Sequence, residues 1–349
     1  MQASALDAEV NVQELLNCDA NLHLAKGPAT FKVKALGLPH APKSEALHFI
    51  KAPKIWAELE KHITQDVFSN LVVVVGESLL PQAQAHKAVS VCLVSSHVEL
   101  TLAKVSKIFY QKKFKNISWV LDGRTSGSAQ IHPTALVSPL AFIGEHVEIA
   151  AGVEVMPGCY VGAHCKVGER TKIFPNTNLY PFVQIGADCR IHSSTVVGAD
   201  GFGYVFDQGV HHKIWHLGGV IIHDNVEIGA NTCVDAGTFS PTIIESGCII
   251  DNQVQIGHNS RLGKAVVICG QSGLGGSSRV GDYSVFGGRV ALGPQCEVGK
   301  YAKIAGAAIV NHSWGDGVEL GGHPARPLKE WLKGLAVLKK LTQARSKQD

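Results

Sequence analysis

From Ile131 to Val197 an aliphatic side chain returns at every sixth position without a miss. The pattern breaks, resumes at Ile222, Ile228 and Val234, slips again, and then runs unbroken from Ile244 through Ile256, Leu274 and Leu292 to Val310. A period of six matches neither the 3.6 of a helix nor the simple alternation of a half-buried strand. Fixed self-similarity at this spacing belongs to a solenoid of short parallel strands wound coil on coil. The residue before each aliphatic strand pair is also small or β-branched, as in Ala135, Val147, Cys159, Thr171 and Thr195. Each hexad therefore offers two inward positions, one large and one small. A glycine often follows the aliphatic residue, as in Ile143-Gly144 and Val161-Gly162, where the chain is expected to turn a corner. Three hexads make a triangular coil, so residues about 18 apart should stack on one face. The spacing leaves the handedness open.

The repeat divides the chain into three. Residues 1–125 lack it; helices at Val12–Cys18 and Lys54–Ile63 alternate with strands at Leu71–Val75 and Ser90–Val94, which predicts a small α/β unit. Residues 126–322 form the solenoid. Its one long interruption, 198–219, is rich in Gly, His and aromatic residues and is expected to be an extruded, functional loop. In residues 323–349, Leu328, Trp331, Leu332, Leu335 and Leu338 follow helical spacing. Cations are concentrated there, although the whole chain carries a net charge of only +3. Two readings of this tail stand together: a helix capping the open solenoid end, and a docking surface for an acidic partner through Arg326, Lys333, Lys339 and Lys340.

Thirty-seven glycines and only 17% charged residues suit a turn-rich solenoid. Apolar runs such as Leu71–Val75 are too short to cross a bilayer, and the N-terminus has no basic segment before an apolar block. A soluble cytoplasmic protein without an integral membrane segment is the expectation. Of nine cysteines, Cys159, Cys165, Cys189, Cys248 and Cys296 fall in the small inward slot, which predicts reduced thiols acting as apolar filler. His211, His212 and His216 cluster in the interruption, but no cysteine or acid stands at ligand spacing, so no metal and no cofactor are expected. Phosphate-cradling and nucleophile-elbow motifs are absent. The basic residues are few and not interleaved with aromatics, which argues against nucleic acid.

Because the interior is packing, chemistry must lie on corners and outer faces. His258 and Gly276 stand 18 residues apart and should stack, placing an imidazole base near a backbone amide that could receive an oxyanion. Asp251, seven residues before His258, is the candidate carboxylate to fix the imidazole tautomer.

The stretches VVGADGFGYV (Val196–Val205), VEIGANTCVDAG (Val226–Gly237) and IIDNQVQIGHN (Ile249–Asn259) resemble the UDP-3-O-(3-hydroxyacyl)glucosamine N-acyltransferases of lipid A biosynthesis. LHFIKAPK (Leu47–Lys54) and the GGHPARP that begins at Gly321 extend the likeness. The resemblance implies a mainly β protein built on a left-handed parallel β-helix, assembled as a homotrimer with sites between subunits, in the cytoplasm of a Gram-negative bacterium. It implies transfer of a 3-hydroxyacyl chain from acyl carrier protein to the 2-amine of UDP-3-O-acylglucosamine, without a covalent acyl-enzyme. His258 would be the base, Asp251 its partner and Gly276 the oxyanion donor. Phe49 and Trp56 would lie against the uridine, and Gln255, Asn259 and Gln295 would contact substrate. The chain departs from the family pattern at Ala52, Ile55, Ala236, Gly257 and Gln295. Two other readings are the related UDP-N-acetylglucosamine O-acyltransferase, which lacks a comparable N-terminal unit, and a non-catalytic nucleotide-sugar-binding β-helix. Acyl chain length is not legible.

Overall fold

A computed structural model describes residues 9–63, 70–117, 127–322 and 327–345. The boundary at 125/126, Arg326 and the start of the tail at 323–326 lie outside the described residues. From Gln130 to Leu320 the chain winds into three parallel sheets of nine, nine and ten strands. Most strands are two residues long, the first side chain facing out and the second in. Phe142 pairs with Tyr160 and Ile143 with Val161, an offset of 18 residues, so the aliphatic positions stack into one continuous core. At the two breaks the offsets lengthen, Ile185 pairing with Ile222 and Val234 with Ile256.

The small inward slot does more than fill space. Thr171 Oγ1 donates to Gly186 O at 2.8 Å and Thr195 Oγ1 to Gly229 O at 2.8 Å, while Cys165 Sγ lies 3.1 Å from Tyr180 O and Cys248 Sγ 3.1 Å from Gly263 O. Thr, Ser and Cys share the slot because a small side chain with a donor satisfies a corner carbonyl that would otherwise be buried unpaired. Cysteine as purely apolar filler is thus corrected: its S–H is used. Burial pushes the Cys165 and Cys248 thiols up to about 12, which leaves them inert as nucleophiles.

The corner glycines also have a different reason from the one expected. The left-handed conformation falls two residues later on non-glycines, including His146 (φ 54°), His164 (φ 60°) and Asn259 (φ 59°). Gly162 is required by proximity: a Cβ there would sit 2.7 Å from Pro181 N on the next coil. Backbone bonds such as His164 N to Glu145 O, 2.8 Å, hold the strained residues at the corner.

The N-terminal unit is a five-stranded sheet ordered Leu22–Lys26, Val89–Ser95, Leu71–Val75, Ala46–Ile50, Ala35–Gly37. Helix Val12–Cys18 opens on a capping box between Asn11 and Glu14, and Pro53–His62 lies within a residue of its expected place. Separate apolar clusters cover the two faces of the sheet. The helix Val98–Lys113 docks this unit on the solenoid: Tyr110 packs on Trp215 at 4.5 Å between ring centres, and Lys113 Nζ lies 4.4 Å over the Phe182 ring and donates to Leu217 O. Burial pushes Lys113 down to about 8.

The interruption at 198–219 is an ordered hairpin, Tyr204–Asp207 against Val210–Lys213, and not an irregular loop. Positive φ at Gln208 (45°) and Gly209 (83°) gives the tight two-residue turn whose twist suits a hairpin. At the other end lies helix Leu328–Arg345, whose residues 328 to 340 are exposed in the single chain. No helix among the described residues is long and apolar enough to cross a membrane.

Candidate active site

The second register slip, residues 237–241, looks in sequence like a mere irregularity. It supplies the support for His258. Thr238 donates from its N–H to Asn259 Oδ1 at 3.0 Å and from its hydroxyl at 2.7 Å. Asn259 Nδ2 donates to Ser240 O at 3.0 Å, which fixes the orientation of the amide. Asn259 Oδ1 also lies 3.0 Å from His258 Nδ1. An oxygen that already accepts from Thr238 can only accept again, so Nδ1 carries the ring proton and Nε2 keeps its lone pair. The free Nε2 points to Gly276 one coil on: a Cβ at Gly276 would lie 2.4 Å from it. The Gly276 carbonyl accepts from Gln295 N–H at 2.9 Å, whereas no acceptor among the described residues takes the Gly276 N–H.

The structure brings His258 and Gly276 together but leaves Asp251 elsewhere. Asp251 Oδ1 accepts from Asn252 N–H at 2.7 Å and Oδ2 from Gly270 N–H at 2.9 Å, so this carboxylate serves the backbone of a different corner. Its assignment as the partner of His258 is corrected, because the ring is oriented by Asn259 and Thr238. Asn259, expected to touch substrate, has its amide engaged in that task. Trp56 is corrected too: it is 1% exposed in the apolar core of the N-terminal unit. Its neighbour Ile55 and Phe49 instead line a cavity of about 500 Å³ with Lys51, His97 and Tyr204.

His258 stands between two larger spaces. One, about 820 Å³, lies between the N-terminal unit (Leu38, His40, Leu102), the hairpin segment (Phe202, Phe206, Ile214) and the solenoid (Arg261, Arg279). It shares Leu102, Tyr204, Phe206 and Ile214 with the Phe49 cavity, so the two are adjacent. The other, about 670 Å³, holds Gln255, Gly276 and Gln295 with Asp200, Lys213 and Asp235. Asp200 is paired with Lys213 at 2.6 Å. Burial raises the Asp235 carboxyl above the usual carboxylate range, opposed by a hydrogen bond from Gln255 and by His258.

Sequence reasoning missed His216 as a neighbour of the base. It is 2% exposed, 5.1 Å from His258 between ring centres, and neither ring nitrogen has a hydrogen-bond partner among the described residues. Burial first, then the charges of His258 and Lys213, hold its pKa down to about 3. Gly201 fits between the two imidazoles, since a Cβ there would lie 2.5 Å from His258 Cβ and 2.9 Å from His216 Nε2. Among the described residues no group of three or more His, Cys, Asp or Glu could hold a metal ion.

Residues 140–174 and 164–199 match the bacterial transferase hexapeptide model, a unit of six repeats. The chain carries the hexapeptide repeat. It is 52% identical over 155 residues to UDP-3-O-acylglucosamine N-acyltransferase 2 of Legionella pneumophila, covering 44% of this chain and 45% of that one. It is 50% identical over 163 residues to UDP-3-O-acylglucosamine N-acyltransferase of Rickettsia bellii, covering 47% and 48%. The hexapeptide-repeat chain thus spans about half the length of the curated relatives it matches. Among solved structures, Francisella novicida UDP-N-acetylglucosamine acyltransferase superposes with a TM-score of 0.43 at 26% identity, over 53% of this chain and 62% of that one.

Proposed function

We propose that this chain transfers a 3-hydroxyacyl group from the thioester of acyl carrier protein to the 2-amine of UDP-3-O-acylglucosamine. The observation that carries the reading is the His258 ring, locked by Asn259 and Thr238 with its free Nε2 against Gly276. The similarity to relatives named UDP-3-O-acylglucosamine N-acyltransferase supplies the substrate class. Nε2 takes a proton from the amine as its nitrogen attacks the thioester carbon, and the Gly276 N–H donates to the developing oxyanion. The C–S bond then breaks, the amide forms, and the imidazolium returns its proton to the departing thiolate. Gln255 and Gln295 border the space where the reacting groups meet, and Phe49 lines the cavity assigned to the uridine. Exposed apolar side chains on the outer sheet faces, Phe142, Ile249 and Ile309 among them, suit a homotrimer. The tail helix with Lys333, Lys339 and Lys340, together with Arg326, suits an acidic carrier.

The test is a mass-spectrometric assay with UDP-3-O-acylglucosamine and a ladder of 3-hydroxyacyl carrier proteins. A diacylated product from the native protein and none from a folded His258→Ala variant is expected. Near-native turnover by that variant, or no product from any donor, would overturn the reading.

A further inference from the structure

The 820 Å³ cavity beside His258 has an unusual charge balance. Its wall carries Arg261 and Arg279 along with His40, His211 and His216, and no carboxylate among the described residues lines it. Arg261 and Arg279 are register partners on adjacent parallel strands, with both side chains on the outer face. Such strands lie about 4.8 Å apart, so two guanidiniums project side by side. Neither forms an ion pair or hydrogen bond with another described residue; even Glu297, next in register to Arg279, is not paired with it. Elsewhere on this solenoid, cations in such stacks find an acid: Lys166 pairs with Glu148 at 2.8 Å, and Lys172, although also in register with Arg190, pairs with Glu154 at 2.7 Å. His40 of the N-terminal unit faces the same pair, and its pKa is lowered by burial first, then by Arg279 and Arg261.

Two adjacent like charges on a cavity wall, with no paired carboxylate among the described residues, are held at a cost in repulsion that an anion relieves. The guanidinium fork matches the oxygens of a phosphate in paired hydrogen bonds. We propose that Arg261 and Arg279 form a phosphate-binding site that anchors the charged part of a ligand whose reactive end lies at His258. This rests on the acyltransfer reading only for the identity of the ligand, which on that reading has two sources. One is the diphosphate of the nucleotide sugar, whose nucleoside end would lie in the adjacent Phe49 cavity. The other is the phosphodiester of the carrier's phosphopantetheine arm.

Calorimetric titration of the intact protein with UDP and with 4′-phosphopantetheine, at low and high salt, tests the site. Uridine and pantetheine serve as phosphate-free controls. At least one phosphorylated probe should bind, more weakly at high salt, and lose about tenfold in affinity in Arg261→Gln or Arg279→Gln and more in the double variant. The controls should be unchanged. Arg279→Lys, which keeps the charge without the fork, should fall between. Loss for UDP alone assigns the site to the nucleotide, and loss for phosphopantetheine alone assigns it to the carrier arm. Native affinity for both probes in the double variant, an equal loss for the phosphate-free controls, or no binding to the native protein overturns the proposal. If the double variant does not fold, the single variants carry the same comparison. A native protein that binds a phosphorylated probe but transfers no acyl group keeps this site and removes the acyltransfer reading.

Discussion

The two spaces on either side of His258 are built from different chemistry. The larger is roofed by the N-terminal unit and the hairpin segment, is lined by Leu38, Leu102, Phe202, Phe206 and Ile214, and has arginines and histidines but no carboxylate among the described residues in its wall. The smaller lies along the solenoid corner past Gly276 and holds Asp200 and Asp235. A base set between them can serve a ligand that is anionic or apolar on one side and an amine on the other. The lesson is that the solenoid alone supplies the base, the amide donor and the two guanidiniums. The N-terminal unit and the interruption turn one flank of that base into a cleft that no carboxylate among the described residues lines.

The hardest test of this arrangement is Gly276→Ala, whose methyl would meet His258 Nε2 at 2.4 Å. The ring would have to leave its place between the two spaces. A fall in kcat of about a thousandfold with a nearly unchanged melting temperature is expected, the scale of general-base catalysis. A loss below tenfold would mean that the base works from another position.

The next contrast separates what orients the ring. Asn259→Ala removes the acceptor of the Nδ1 proton and should cost about a hundredfold in kcat, whereas Asp251→Asn should cost no more than about threefold. The reverse order would restore Asp251 to the site. Asp235→Asn sharpens the acid flank: the KM for the amine acceptor should rise about tenfold, while the affinity for a phosphorylated probe stays at the native value. A parallel loss of both would show that the two spaces act as one.

His216 gives a pH signature. In the unfolded chain it takes a proton near 6.5, and in the folded protein only near 3, because burial disfavours the charged ring. The unfolded state therefore binds more protons between these values, and stability present above pH 6.5 is lost progressively as pH falls towards 3. By pH 4.5 the loss from this group is about 3 kcal/mol. Denaturant titrations of His216→Gln should show a shallower acid limb by that amount; an unchanged limb would mean that the ring is protonated or solvated in the native protein. The smallest effect is expected farthest from the cleft. Neutralising Lys333 and Lys340 on the exposed tail helix should raise the carrier's KM a few-fold at low salt and little at high salt. A salt-independent change would take the tail out of carrier docking.

The sequence by itself determined the solenoid, its 18-residue coil and the stacking of His258 with Gly276. A strict period of six with two inward positions per hexad admits only one way to bury the aliphatic side chains. The alternating elements of the N-terminal unit were legible for the same kind of reason, in that local pattern and capping agree with the fold. Tertiary structure decided everything that depends on how irregular segments pack. Asp251 is near His258 along the chain, but corners point in three directions, and seven residues carry a side chain to a different edge. Trp56 adjoins Ile55 in sequence, but the helix turns it into the core. Thr238, His216 and Asp235 come to His258 through a register slip, a hairpin insertion and a neighbouring strand. The hexad period places Asp235 at a corner but says nothing of its neighbours, and Thr238 and His216 lie in the breaks, where there is no period to read.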